Sequence, residues 1–226
     1  MQNNVVPLVQ EALIKPAVEA LVAKKNFFQR LGITPEEFCR VTDENPSIRG
    51  VIVGYVAEMK LRNIFAADKR VTGLSKDDDH DRTKKGDLNV GYRGRSFRFE
   101  CKSLQTNLVK RLGENIWSGI YQCDASDCRE ITLPNGHKVT TTCLMVGEFD
   151  VVAVNLFQFG EKWQFAYALN NDLPRTTHRK YALEDQPYLL KAGPKITLPL
   201  VWPYVADPFP LMDLLLAGEK SLPKPV

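Results

Sequence analysis

Apolar positions recur with helical spacing through the first third of the chain and then switch to strict alternation. Residues 5–30 follow the helical period, with Pro16 as a break or kink. Thr34-Pro35-Glu36-Glu37 supplies an N-cap, a proline at the first helical position and an acidic first turn. Asn45-Pro46 repeats that start signal before residues 47–67, where Ile48, Val51, Ile52, Tyr55, Val56 and Met59 predict one buried helix face. A polar, charge-dense loop is expected over 75–86. From Asp87 the period becomes two. Leu88, Val90 and Tyr92 alternate with polar positions, and after Arg93-Gly94 so do Phe97, Phe99 and Cys101, which predicts a hairpin with one apolar face. Further on, 115–121 reads as a short helix and 131–139 as a hairpin around Pro-Asn-Gly. Residues 150–159 and 163–169 read as two strands, and the proline-rich end holds one short helix near 210–217. Helices followed by a mainly antiparallel sheet predict an α+β or mixed α/β fold.

The chain has 226 residues, 44% apolar and 25% charged. That is enough to bury a core without disulfide staples, and it excludes bulk disorder, collagen and a coiled-coil rod. The expected organisation is an N-terminal helical segment, residues 1–45, packed on a core of residues 46–226 that ends in a proline-rich extension. No apolar run approaches a membrane span. The start of the chain lacks a basic n-region, an apolar h-region and a cleavage site, so a cytoplasmic protein with reduced thiols is expected from five cysteines. The net charge of +3 is unevenly spread: residues 60–111 hold 14 Lys/Arg against 7 Asp/Glu, or +7, and the remainder carries −4. A basic middle suggests a polyanion partner; chance clustering on a solvated surface is the alternative.

The hairpin register sharpens the chemistry. With the turn centred on Arg93 and Gly94, paired residue numbers sum to 187, which sets Asp87 opposite Glu100 on one face, with Lys102 two residues beyond. Opposed carboxylates repel unless they share a cation, and hard oxygen donors with open positions suit magnesium, with manganese as its substitute. Lys102 would then lie near a metal-bound water or the attacked phosphate. Alternatively, Asp87 and Glu100 are solvated strand residues paired with Lys84, Lys85 or Arg98.

Gly86-Asp87, twelve intervening residues and Glu100-Cys101-Lys102 resemble the core motif of the PD-(D/E)XK nuclease superfamily, which includes type II restriction endonucleases. The first position of that motif is often proline; here it is Gly86. The resemblance in order of elements runs from about residue 47 to 169. It implies a restriction-endonuclease-like core, a mixed central sheet flanked by helices. It further implies that Asp87 and Glu100 bind magnesium, that Lys102 assists the nucleophile, and that Glu58 on the preceding helix is a further ligand or supporting group. Glu58 could equally be an ordinary helix-surface partner of Arg62. The function implied is a magnesium-dependent endonuclease on double-stranded DNA, of restriction type and acting as a homodimer. Its rivals are a repair nuclease or junction resolvase, or a non-catalytic nucleic-acid-binding module. Lys84, Lys85, Arg93, Arg95 and Arg98 are the candidates for holding DNA phosphates. Cys123, Cys128, His137 and Cys143 are donors of the kind zinc takes, but their spacing matches no short finger pattern.

Overall fold

In a computed structural model, residues 25–76 and 86–224 are described. Lys84, Lys85, the acidic run at 77–81 and most of the first predicted helix lie outside them. The chain divides into two compact units at Gly50.

In the first unit, α2 (Pro35–Glu44) starts as the sequence predicts, whereas α1 (Phe27–Leu31) starts at an Asn26 cap inside the longer helical stretch expected over 5–30. The Thr34 hydroxyl accepts from the Glu37 N–H at 3.1 Å, and the Glu37 carboxylate accepts from the Thr34 N–H at 2.8 Å, a complete capping box with Pro35 in the first turn. Phe27, Phe28 and Phe38 meet edge to face within this unit.

The second unit is built on a mixed five-stranded sheet. Its strands are β1 (Val71–Ser75), β2 (Leu88–Tyr92), β3 (Arg95–Ser103), β8 (Val151–Asn155) and β9 (Phe165–Leu169), in the spatial order β1-β2-β3-β8-β9. β3 and β8 are parallel; the other pairs are antiparallel. Between β3 and β8 the chain forms β4 (Lys110–Gly113), β5 (Ile116–Ile120), β6 (Asp124–Thr132) and β7 (Lys138–Cys143). β4 and β5 join β10 (Lys195–Leu198) in a separate three-stranded sheet, and β6 and β7 form a hairpin. The turn of that hairpin carries Gly136 at φ 87°, as Pro-Asn-Gly predicts.

Strand alternation sorts the core into two layers. Phe97, Phe99, Cys101, Val151, Ala153 and Tyr167 point to one face, where α3 (Pro46–Ala67) and α4 (Phe209–Leu216) cover them. Val152, Val154, Ala166 and Ala168 point to the other, under Tyr121, Ile196 and Tyr204. β8 and β9 are buried on both faces, which is why each reads as a continuous apolar run.

Two sequence expectations are corrected. The buried face of α3 is Ala57, Leu61 and Phe65, each worth up to about 1.5–3 kcal/mol for the two larger side chains. Of the apolar stripe read from sequence, Ile48, Val51, Tyr55 and Met59 are exposed, Val51 by 60% and Tyr55 by 56%, and Ile52 and Val56 are half-buried. Residues 115–121 are not a helix but β5. Asn115 sits at φ 54° in the turn from β4, and the strand is completed by β10, some 75 residues later.

Candidate active site

The β2–β3 hairpin has the expected register, from Leu88 opposite Phe99 to Tyr92 opposite Arg95, so pair numbers sum to 187. Its two-residue turn holds Arg93 at φ 47° and Gly94 at φ 78°, the left-handed pair that a type I′ turn requires. Asp87 lies one step before the ladder. Its N–H donates to the Phe99 carbonyl at 2.8 Å, and its Oδ2 accepts from the Cys101 N–H at 2.7 Å. It is thus fastened to the β3 backbone rather than simply facing Glu100 across a ladder pair. Just before it Gly86 sits at φ 93°, where an added Cβ would meet the Phe99 carbonyl oxygen at 3.2 Å. Proline, held near −65°, cannot take that angle, so the departure from proline at this position is conformational.

Glu100 is buried, and its Oε1 lies 2.7 Å from Lys102 Nζ. Lys102 Nζ also donates to the Asp124 carbonyl at 3.2 Å. Cys101 points the other way, into the apolar layer, where burial pushes its thiol well above the usual range. Across the hairpin, burial and then the Glu100 charge push the Asp87 carboxyl up to about 7; Lys102 opposes this, and Glu58 adds to it. Burial alone would lower the Lys102 pKa. The carboxylates of Glu100 and Asp87 outweigh it and hold the ammonium above its ordinary value.

Glu58 is on α3, one residue from the buried Ala57. Its Oε2 is 2.7 Å from Lys76 Nζ, so its partner is not Arg62 but a residue at the end of β1. Lys76 and the Asp124 carbonyl were not singled out from sequence, because both reach the site from elements whose placement depends on long-range pairing.

Arg93, Arg95 and Arg98 are not gathered with the carboxylates. Arg93 bonds Asp213 at 2.9 Å, Arg95 donates to the Leu215 carbonyl at 3.0 Å, and Arg98 lies 3.6 Å from Asp150. Arg95 and Lys102 are seven residues apart along β3, about 23 Å in an extended strand. Nor do the zinc donors assemble. Cys123 and Cys143 are buried, Cys128 is exposed, and His137 Nδ1 lies 2.9 Å from Asp185 Oδ1. Among the described residues no three His, Cys, Asp or Glu side chains form a metal-binding group.

A divalent cation is implied by the motif resemblance, and the donors can be tested against it. Asp87 and Glu100 are two hard-oxygen donors held at one end of the hairpin, and burial, with the Glu100 charge adding to it, favours the protonated form of Asp87. Two carboxylates are what magnesium takes when water and substrate phosphate fill its remaining positions, so the residues fit.

No protein-family model matches the chain, and no curated protein matches its sequence. Among solved structures, a bacterial homing endonuclease overlaps at a TM-score of 0.34 and 17% identity, over 60% of this chain and 85% of that one. An overlap of that size carries no argument for activity. Among the described residues no helix is long and apolar enough to cross a membrane.

Proposed function

We propose that the protein is a magnesium-dependent endonuclease that hydrolyses phosphodiester bonds of double-stranded DNA, of restriction type. The observation that supports this reading is the convergence of Asp87, Glu100 and Lys102 at one end of a rigid hairpin, with Glu58 adding negative charge from α3. Asp87 and Glu100 would hold the cation; manganese would serve in its place. Bound there, it would supply Lewis acidity and hydroxide at neutral pH. Lys102 would act as a fixed positive charge against the phosphate oxygens rather than as a base, because Glu100 and Asp87 keep it protonated. Glu58 would tune the local charge through its pairing with Lys76. The backbone N–H of Cys101 fixes the orientation of Asp87. A homodimer would set two such sites against two strands. Phosphate contacts by Arg95 would fall about seven base pairs from the bond cut, given about 23 Å of strand and 3.4 Å per base pair; those by Arg98, four residues from Lys102, would fall about four base pairs away, and Arg93 lies beyond Arg95 at the turn.

The test is incubation of the purified protein with plasmid DNA and magnesium, with and without chelator. Discrete fragments that vanish with chelator support restriction-type cutting, and nicking confined to branched junctions would favour a resolvase. Equal cutting in chelator without divalent ion would falsify the metal-dependent reading.

A further inference from the structure

Directly after Lys102 the chain leaves the central sheet. Leu104 bridges Tyr121, and from that root β4 and β5 run out as a ribbon before returning to Cys123 and Asp124 beside the site. β10 pairs β5 from Ile120 to Trp117, all of that strand but Ile116. Beyond Trp117 only Gly113 and Ile116 still pair, and a bulge at Leu112 leads into the Glu114-Asn115 turn.

The ribbon has two faces. Arg111, Trp117 and Leu198 form one row on the core side, where Trp117 stacks on Phe159. Lys110, Ser118 and Thr197 form a row on the outer side, followed by Ile120 and Lys195. That outer face bears lysines and hydroxyls and no carboxylate. The tip carries Glu114 and Asn115, both exposed, with Leu112 exposed by 62% and Ile116 by 46%, and Arg111, also exposed, stands one pair back opposite Trp117. Arg111 is held by the Gly113 carbonyl at 3.3 Å and lies over the Trp117 ring. Nothing in the core requires apolar residues at such a tip.

Resting on the endonuclease reading above, we propose that the β4–β5 ribbon reads base sequence in the major groove of duplex DNA, about half a helical turn from the bond cut. A major groove admits a two-stranded ribbon, and the tip is the part of this sheet narrow enough to enter. Arg, Asn and Glu side chains match guanine, adenine and cytosine edges, and an apolar side chain matches the thymine methyl. Lys110 and Lys195 on the outer face contact phosphates. From its root to its tip the ribbon spans about 20 Å, or roughly six base pairs.

The experiment digests a randomised duplex library in magnesium and sequences the cut ends, using wild type, Arg111→Ala, Asn115→Ala and the double variant Lys110→Ala/Lys195→Ala. Thermal melting confirms folding. The tip variants are expected to relax base preference at one or two positions about six base pairs from the cut, and to slow cutting of the preferred site about tenfold or more. The lysine variant is expected to weaken binding across all sequences and to flatten the salt dependence by about two. Folded tip variants with an unchanged cut profile overturn the inference, as does wild-type cutting without sequence preference. In both cases the endonuclease reading stands. Equal binding of single strands or duplex RNA also overturns it. Absence of both DNA binding and cutting in wild type removes the endonuclease reading itself, and this inference with it.

Discussion

The two ends of the β2–β3 hairpin handle charge in opposite ways. At the turn end Arg93, Arg95 and Arg98 meet Asp213, the Leu215 carbonyl and Asp150, whose Oδ2 also accepts the Arg98 N–H at 2.7 Å. These contacts are partly or largely exposed, and each cation there has an acceptor. At the other end Asp87, Glu100 and Glu58 face Lys102 and Lys76, one positive charge short among the described residues, and here burial makes the shortfall felt. The same strands that tie down an arginine cluster at one end hold, among the described residues, two buried carboxylates beside Lys102 at the other. A structural hairpin gains nothing from that imbalance, whereas a cation site requires it.

The largest way to break this contrast is Lys102→Ala. Cutting per folded molecule is expected to fall about 100- to 1,000-fold or more in a plasmid assay with magnesium, while DNA binding persists. Loss of the ammonium bonded to Glu100 should also lower the melting temperature, since a buried carboxylate is left without that ion pair. Unchanged cutting would remove Lys102 from the site.

Asp87→Asn comes next and acts with opposite sign on stability and activity. Folding raises the Asp87 pKa from 3.8 to about 7, so the folded state favours the protonated form. Its contribution is most favourable below about pH 4, declines as pH rises toward 7, and above 7 the full cost of about 4 kcal/mol stands. Asparagine mimics the protonated form at every pH. Without divalent ion, the variant should melt higher than wild type at pH 8 and little differently at pH 4, and it should not cut. Magnesium should raise the wild-type melting temperature more at pH 8 than at pH 6, because binding must displace the proton, and should leave the variant unmoved. A wild-type melting temperature without divalent ion that is flat from pH 4 to 8 would sink this account.

Arg93→Ala sharpens the comparison from the quiet end. The Arg93–Asp213 pair is exposed, so its loss should cost no more than about 1 kcal/mol in urea unfolding. A cost above about 2 kcal/mol would mean that the turn end is as tightly balanced as the site.

Much of this hairpin was legible in the sequence because its determinants are local. Period-two alternation sets the faces, and Arg93-Gly94 sets the register. The α3 start was legible for the same reason. Its buried face was not, because Val51, Tyr55 and Met59 form one apolar stripe and Ala57, Leu61 and Phe65 another, and only the neighbouring sheet selects between them. β5 was misread as helix because its partner β10 lies far along the chain. In the site, Glu100 and Lys102 followed from strand alternation. The bond from the Cys101 N–H to Asp87 did not, since Asp87 lies one step before the ladder, and the engagement of Lys76 and Asp124 depended on tertiary placement.

The parallel pairing of β3 with β8 also bears on the order in which the site assembles. The hairpin closes over two residues, whereas Phe99 and its β8 partner Val151 are 52 positions apart. On loop-closure entropy alone that later contact costs about 3 kcal/mol more chain freedom. The hairpin can therefore form while water still hydrates Asp87 and Glu100, and docking of β8 and the segments over it then strips that water away. Should that docking complete after the main barrier, repulsion between the carboxylates would be expressed in the lifetime of the native state rather than in the rate of reaching it. Stopped-flow traces of Asp87→Asn should show slower unfolding with nearly unchanged refolding; a change confined to refolding would place the desolvation early.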